Sequence, residues 1–330
     1  MMPGCSRWRM RSSKRNGGSP AWLRVFTPYE PKFRTDIVKP PKFEYYAPET
    51  LQEVLEVLAF YGEDARVLAG GQSLVPLLNF RIMQPAVLVS INHCQELAYL
   101  QQEESGLVCG ALVRQAQAER SDEARRACPL LAAALPWVGG RANRNRGTVC
   151  GSLAHADPLA ELTAVATALD ATFILSSVHG RREVQADEFF LGDLSTCVEP
   201  GEMLEAVCFP ASGPDASAAF VEVGNRWHGF AVVGVGAQLE FEPDGRYKSV
   251  RLAAIGVGGT PVRLQAAQDI LLGTRGEPDA LSEAAHTASA GLEPPGGFHA
   301  DAAYRLRVLP TLIERAVKQA DGLRNAQQGD

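Results

Sequence analysis

Apolar positions in the first two thirds of the chain occur in short groups, some with helical and some with strand-like spacing. Thr50 is followed three residues later by Glu53, and apolar positions then recur at helical spacing over residues 51–61. This pattern predicts an amphipathic helix opened by a capping box. Short apolar or β-branched runs predict buried strands at 66–69, 87–91, 107–110 and 172–178. Further helices are predicted at 121–134 and 159–169, separated by a basic, asparagine-rich loop at 141–146.

A cluster of turn residues at 210–215 marks a boundary, after which strand-like spacing dominates. Apolar runs predict three strands there, at 220–223, 230–241 and 249–257. Residues 242–245 read Glu-Pro-Asp-Gly, which favours a hairpin turn between the last two strands. Two helices are predicted to close the chain, at 279–290 and 301–319, with Pro310 marking a kink or a fresh start.

Composition excludes several classes of function. The formal net charge of −6 gives no basic field of the kind that nucleic acid binding requires. No apolar run is long enough for a membrane span, although peripheral attachment to the inner membrane through a partner stays open. The seven cysteines form no C-x-x-C pair, so an iron–sulfur cluster or structural zinc on this chain is disfavoured. We therefore expect a cytoplasmic protein with reduced thiols.

Residues 1–37 differ from the rest of the chain. They are rich in Arg and Lys, with Gly, Ser and Pro between them, and they show no hydrophobic periodicity. This composition predicts a disordered basic extension. A targeting signal is one alternative, although the apolar stretch of a secretory signal is missing, and a start of translation near Val38 is another.

Two glycine-containing segments are candidates for binding an anion. A glycine turn after a strand lets backbone N–H groups approach a ligand closely, because no Cβ stands in the way. Gly70-Gly71-Gln72-Ser73 follows a predicted strand, and the segment 148–152 repeats this chemistry. Each segment alone is more often only a tight turn, and neither has the G-x-G-x-x-G spacing of a dinucleotide fold. Together they predict a pyrophosphate site.

Longer runs around these turns carry a family resemblance. Residues 69–76 read Ala-Gly-Gly-Gln-Ser-Leu-Val-Pro, with Arg81 and Pro85 behind them, and residues 144–158 contain Gly-Thr-Val-Cys-Gly-Ser-Leu-Ala-His-Ala-Asp-Pro. Both runs resemble the FAD motifs of the medium subunits of carbon monoxide dehydrogenase-like molybdenum hydroxylases. The similarity extends from Lys39 to the final predicted helix.

The resemblance implies a set of FAD-binding residues. In the first motif these are Ala69, Gly70, Gly71, Gln72 and Ser73, and in the second they are Thr148, Val149, Cys150, Gly151 and Ser152. The same resemblance implies a contact from the acidic Glu161 to the flavin nucleotide, a backbone contact from Val198, and the aromatic Phe230 beside the isoalloxazine ring. Leu68 and Gly110 would line the cavity.

The sequence departs from the usual family pattern at three places. Gln72 replaces a frequent histidine, and Cys150 replaces a glycine, either as a small filler or as a redox-active thiol. Trp227-His228-Gly229 stands where Gly-Asp usually precedes the aromatic residue. We interpret His155 as a loop-structuring residue, and Arg141, Arg144 and Arg146 as contacts to solvent, to a partner or to phosphate.

The architecture that the resemblance implies is α+β. A two-part FAD-binding domain of the vanillyl-alcohol-oxidase (PCMH-type) kind at 38–215 precedes a C-terminal domain, at 218–322, with a small antiparallel sheet and helices. The implied function is electron transfer from a small 2Fe–2S subunit through FAD to an external acceptor. A large molybdopterin subunit would oxidise the substrate, and the assembly would be a dimer of heterotrimers. No catalytic or metal-binding residue is expected on this chain. The alternative is a self-sufficient FAD-dependent oxidase or dehydrogenase.

Overall fold

The computed structural model describes residues 9–10, 25–27, 39–226, 229–297 and 299–327. The chain begins with a sheet of five strands in the order β1-β2-β3-β5-β4, in which β3 and β4 both run parallel to β5. These strands are β1 Arg9–Met10, β2 Val25–Thr27, β3 Glu44–Tyr46, β4 Ala65–Leu68 and β5 Val87–Ser90. The helices α1 Leu51–Tyr61 and α2 Leu74–Asn79 connect them.

Helix α1 confirms one half of the predicted capping box, because Thr50 is the N-cap residue, whereas Glu53 bonds back to Glu49 rather than to Thr50. The Thr50 side chain accepts a hydrogen bond from the backbone N–H of Glu53, and the Glu53 carboxylate accepts one from the N–H of Glu49 at 2.9 Å. These bonds satisfy donors that a helix start leaves open. Gly62, with φ of +51°, ends the helix.

Five of residues 1–37, the predicted basic extension, belong to the part of the chain that the structure describes. Arg9–Met10 and Val25–Thr27 form the paired strands β1 and β2, and β2 pairs with β3. The β-branched and aromatic residues of Val25–Thr27 favour an extended strand. The remaining positions of the extension lie outside the described residues.

A second sheet of five antiparallel strands follows, in the order β6-β7-β12-β8-β9. It comprises β6 Leu100–Glu103, β7 Gly106–Gly110, β8 Thr172–Ser177, β9 Gly180–Gln185 and β12 Met203–Pro210, while β10 Phe190–Gly192 and β11 Ser195–Thr196 form a separate small pair. Its helices are α3 Gln115–Arg120, α4 Asp122–Ala127, α5 Pro129–Ala134, α6 Arg141–Arg146, α7 Val149–His155, α8 Glu161–Ala168 and α9 Ala186–Phe189.

Two predictions in this region are wrong. The helix predicted at 121–134 is two helices, because Pro129 cannot continue the first and instead occupies the first turn of α5. The loop predicted at 141–146 is helix α6. Its arginine residues favour a helix, and packing of α6 against α3 stabilises it, although its two asparagines do not favour a helix.

The C-terminal region is a four-stranded antiparallel sheet covered by helices. The strands are β13 Ser217–Gly224, β14 Ala231–Phe241, β15 Tyr247–Ile255 and β16 Val262–Arg263, and the helices are α10 Gln265–Leu271, α11 Pro278–Ser289 and α12 Ala302–Gln327. Helix α12 continues through Pro310, so the fresh start considered for that position is not observed. None of the helices in the described ranges is both long and apolar enough to cross a bilayer.

Two buried clusters organise the molecule. One fills the space between the first two sheets and their helices, and it extends to Phe220 and Ile255 of the third sheet. The other lies between the third sheet and α10 to α12. At the junction, Asp170 pairs with Arg251 and Arg263, and the Gly256 N–H donates to the Pro158 carbonyl at 3.1 Å. The C-terminal sheet is therefore anchored close to the end of the second predicted motif.

Candidate functional site

The first glycine turn lies at the carboxyl end of β4. An ideal Cβ on Gly70 would lie 2.3 Å from the Arg146 carbonyl oxygen and 2.8 Å from the Gly147 Cα, so only glycine fits there. Gly71 has φ of +74°, a conformation that L side chains rarely adopt. The turn therefore packs directly on the backbone that enters the second motif, and the fold brings the two predicted segments together.

The same turn presents free backbone donors. Among the described residues, the N–H groups of Gly71, Gln72 and Ser73 donate to no acceptor, and the Ser73 side chain makes no capping hydrogen bond to α2. Backbone N–H groups without partners need solvent or a ligand acceptor. Consecutive N–H groups around a glycine of positive φ suit an anion. The residues present at this turn therefore fit a diphosphate.

The second segment is not a turn. Thr148 is the N-cap of α7, and its Oγ1 atom accepts from the Gly151 N–H at 3.0 Å. A Cβ on Gly151 would lie 2.6 Å from this oxygen, which explains the glycine. The Val149 N–H donates to the Val113 carbonyl, so part of the helix start is already satisfied within the protein. The prediction of a second glycine turn is thus corrected to a capped helix start.

Cys150 is part of the core rather than of a reactive surface. Its side chain is 2% exposed, and its Sγ atom donates to the Cys109 carbonyl at 3.3 Å. Burial raises the pKa of this thiol to about 12, so the thiolate is absent at neutral pH. The structure supports the interpretation of Cys150 as a small filler.

Sequence reasoning missed two residues that link the segments. The Asn92 Nδ2 atom donates to the carbonyls of Leu68 and Ala69, at 3.2 and 2.9 Å. Arg114 donates from one nitrogen to Asn92 Oδ1 at 2.7 Å and from another to the Arg146 carbonyl. We call Asn92 and Arg114 the brace. Asn92 follows β5 at the carboxyl end of the parallel strands, where ligand sites are common. This position is the one feature of the sequence that could have indicated a role for Asn92 in the site.

Helix α6 positions the residues between the two motifs. The Asn143 side chain donates to Gln72 Oε1 at 3.4 Å. Arg144 is buried and bonded to both oxygens of Glu119, at 2.8 and 3.0 Å, and to the Gly139 carbonyl. Its predicted contact with solvent, partner or phosphate is therefore wrong, because its donors are used within the fold. The side chains of Arg141 and Arg146 are exposed.

The three remaining predicted site residues lie on separate elements. Glu161, the first residue of α8, is 7% exposed, and burial raises its pKa to about 7. Val198 follows β11, which packs against α7. Phe230 lies just before β14 with 66% of its surface exposed. Burial lowers the pKa of His155 at the end of α7. Trp227 and His228, two of the positions that depart from the family pattern, lie outside the described residues.

Comparison with known families identifies this arrangement. Residues 41–212 match the family described as the FAD binding domain in molybdopterin dehydrogenase. The chain belongs to the FAD-binding subunits of the molybdenum hydroxylases. Residues 202–320 of this FAD-binding subunit match the CO dehydrogenase flavoprotein C-terminal domain. The family and the α+β fold with an antiparallel, helix-covered C-terminal domain are thereby confirmed.

Individual relatives are similar to this chain along most of its length. The subunit is 36% identical over 283 residues to the 6-hydroxypseudooxynicotine dehydrogenase complex subunit alpha of Paenarthrobacter nicotinovorans, covering 86% of this chain and 96% of that protein. It is 32% identical to the carbon monoxide dehydrogenase medium chain of Hydrogenophaga pseudoflava, covering 85% and 98%. Among solved structures, quinoline 2-oxidoreductase from Pseudomonas putida 86 is similar with a TM-score of 0.82 and 35% identity, covering 87% of this chain and 99% of that chain.

Proposed function

We propose that this FAD-binding subunit holds FAD across the two motifs, accepts electrons from a 2Fe–2S subunit and passes them to an external acceptor. The observation that carries the proposal is the cradle formed by the free N–H groups of residues 71–73, packed against the backbone that enters α7. Bound FAD would supply a group that can take up two electrons and release them to an acceptor.

The proposed contacts follow from the placement of each segment. Residues 69–73 and 148–152 would hold the diphosphate, with backbone donors from the first segment and the Thr148 hydroxyl from the second. Glu161 would contact the flavin nucleotide, Val198 would contribute a backbone contact, and Phe230 would lie beside the ring. Phe230 is suited to that role because about two thirds of its surface, 66%, is exposed in the described fold.

The proposal divides the chemistry among subunits. Within the described ranges, no three His, Cys, Asp or Glu side chains lie close enough to hold a metal ion together. In this proposal, which follows the family resemblance, the molybdopterin lies on a large subunit and the 2Fe–2S clusters lie on a small one, in a dimer of heterotrimers in the cytoplasm. The FAD-binding domain is proposed to span 38–215 and the C-terminal domain 218–322.

The relatives indicate a range of substrate classes rather than one. Their names include a pseudooxynicotine derivative, carbon monoxide and glyceraldehyde. In this proposal the substrate pocket belongs to the large subunit. A self-sufficient flavin oxidase or dehydrogenase is the competing function, and it requires substrate to reduce the isolated subunit.

Anaerobic reduction separates these two functions. We expect substrate to bleach the flavin absorbance of the complex reconstituted with the large and small subunits, and to leave the isolated subunit unchanged. Dithionite should bleach both preparations, which controls for an accessible flavin. Bleaching of the isolated subunit by substrate, at the rate of the complex, would overturn the electron-relay proposal.

A further inference from the structure

Two charged side chains hold the loop at 197–202, which joins β11 to β12. Arg182 of β9 donates from Nε and Nη2 to the two carboxylate oxygens of Glu202, at 2.8 and 2.7 Å. Its Nη2 atom also donates to the Cys197 carbonyl at 2.8 Å. The Glu202 carboxylate in turn accepts the Glu199 N–H at 2.9 Å. We call Arg182 and Glu202 the clamp, because this one pair fixes both ends of the loop.

The clamp is suited to hold a fixed loop geometry. An arginine that bonds to both oxygens of a carboxylate fixes the orientation of the two groups as well as their distance. The side chain of Glu202 is 12% exposed and that of Arg182 is 40% exposed, so water competes for only part of the pair. The hydrogen bonds from Arg182 hold the pKa of Glu202 below its ordinary value. The pair is therefore charged at neutral pH.

The residue between the clamped positions offers a hydrogen-bond acceptor. Val198 is half-buried and packs against the buried cluster of the first two sheets. Its N–H donates to the Thr196 hydroxyl at 3.4 Å, whereas its carbonyl accepts no hydrogen bond from the described residues. The carbonyls on either side are used, since that of Cys197 bonds to Arg182 and that of Glu199 accepts from the N–H at position 202. Val198 thus presents a free carbonyl between two bonded ones.

This loop lies beside the second motif. Strand β11, which leads into the loop, packs against α7. Just before that strand, the Leu194 N–H donates at 3.1 Å to the carbonyl of Ala156, the residue after α7. The same helix starts at the Thr148 cap that is proposed to hold the diphosphate. A free carbonyl here suits a ring N–H group, and FAD carries two, the amino group of adenine and the imide N–H of the isoalloxazine.

We propose that Arg182 and Glu202 are positioning residues that hold the Val198 carbonyl where it accepts a hydrogen bond from a ring N–H of FAD. This inference rests on the proposed function, in which Val198 contributes a backbone contact. The two charged side chains act through the loop and need not touch the cofactor. Without the clamp the loop is free to move, and binding must then order it before the hydrogen bond can form.

Hydrogen exchange in the FAD-free subunit tests the effect of the clamp on the loop. In Arg182→Met the Glu202 carboxylate loses the cation that orients it, and the Glu199 N–H loses a fixed acceptor. We expect the Glu199 amide to exchange roughly tenfold faster than in the native subunit. Native exchange in a folded Arg182→Met protein would overturn the inference, because the loop then keeps its shape without the clamp.

Fluorescence titration with FAD tests the consequence for binding. Arg182→Met and Glu202→Gln remove opposite sides of one pair, so each should weaken FAD binding roughly tenfold, through one lost hydrogen bond and the ordering of the loop. The double variant should bind no more weakly than the weaker single variant, because the two side chains act as a unit. Arg182→Lys should recover part of the affinity, since lysine keeps the charge but lacks the planar fork.

The neighbouring arginine separates positioning from general stability. Arg181 of the same strand pairs with Glu205 of β12, whose side chain is 6% exposed, and its printed bonds do not reach the loop. Arg181→Met leaves this deeply buried carboxylate without its cation, so it should lower the urea midpoint at least as much as Arg182→Met does. FAD affinity should nevertheless stay native in Arg181→Met. Equal weakening of FAD binding by both variants would mean destabilisation alone and overturn the inference.

Binding of ADP and of riboflavin to the clamp variants identifies the ring. Weakened binding of ADP alone assigns the Val198 carbonyl to the adenine amino group, and weakened binding of riboflavin alone assigns it to the isoalloxazine N–H. Either result supports the inference. Equal weakening of both fragments, or native FAD affinity in both Arg182→Met and Glu202→Gln, overturns it and leaves the proposed function standing. No binding of FAD by the native subunit contradicts the proposed function itself.

Discussion

Replacing Gly70 by alanine is expected to weaken FAD binding by roughly 10- to 100-fold, since overpacking of this kind costs about 1–3 kcal/mol. The added Cβ would lie 2.3 Å from the Arg146 carbonyl oxygen, which belongs to the backbone and cannot rotate away. The two motif segments must separate to relieve this contact, and the cradle loses its shape. Quenching of FAD fluorescence by the FAD-free subunit measures the dissociation constant.

A matched glycine provides the control for this substitution. Gly322 in α12 has no atom within 4 Å of an added Cβ, so Gly322→Ala should bind FAD as the native subunit does. Gly71→Ala forms an intermediate case, because φ of +74° costs an L residue about 1–2 kcal/mol, or roughly tenfold in binding. Native affinity in a folded Gly70→Ala protein would show that FAD binds elsewhere.

Loss of the brace is expected to have the second largest effect. Asn92→Ala leaves the carbonyls of Leu68 and Ala69 without their side-chain donor, and Arg114→Met releases the Arg146 carbonyl. Hydrogen bonds of these kinds contribute about 0.5–3 kcal/mol, so FAD should bind roughly 2- to 100-fold more weakly. The double variant should cost less than the sum of the single variants, because the two side chains form one connected network.

The binding of cofactor fragments shows whether the brace affects the site for the diphosphate. If it holds the phosphate-binding segments together, both substitutions should weaken ADP binding and leave riboflavin binding unchanged. Arg120→Met is the control, since Arg120 is an exposed cation nearby that bonds to the Asn145 side chain rather than to either segment. Equal effects of Arg114→Met and Arg120→Met would assign the loss to charge alone and contradict the brace.

Local sequence patterns were sufficient to predict much of the fold. The Thr50 cap, the strand before Gly70 and the hairpin at 242–245 depend on neighbouring residues, and each is observed. Contacts between distant residues could not be predicted in this way. Pro129 splits one predicted helix, whereas Pro310 lies within a continuous helix, and the surroundings of each proline decide the difference.

In the candidate site, too, the features that depend on neighbouring residues could be predicted, and those that depend on distant residues could not. The glycine turn at 70–73 was predicted because strand, turn and composition all lie within a few residues. Thr148 reads as part of a turn until its hydroxyl is seen to cap α7, and Asn92 and Arg114 meet only in the folded chain.

The cofactor content of the purified subunit tests the central claim most directly. The protein is denatured, and the released flavin is identified by chromatography and quantified against protein, with Gly70→Ala treated in parallel. The account predicts about one FAD per native chain, no FMN, and a marked loss in Gly70→Ala. A native subunit that carries no FAD and takes none up from solution, or a Gly70→Ala protein that keeps the full amount, would contradict it.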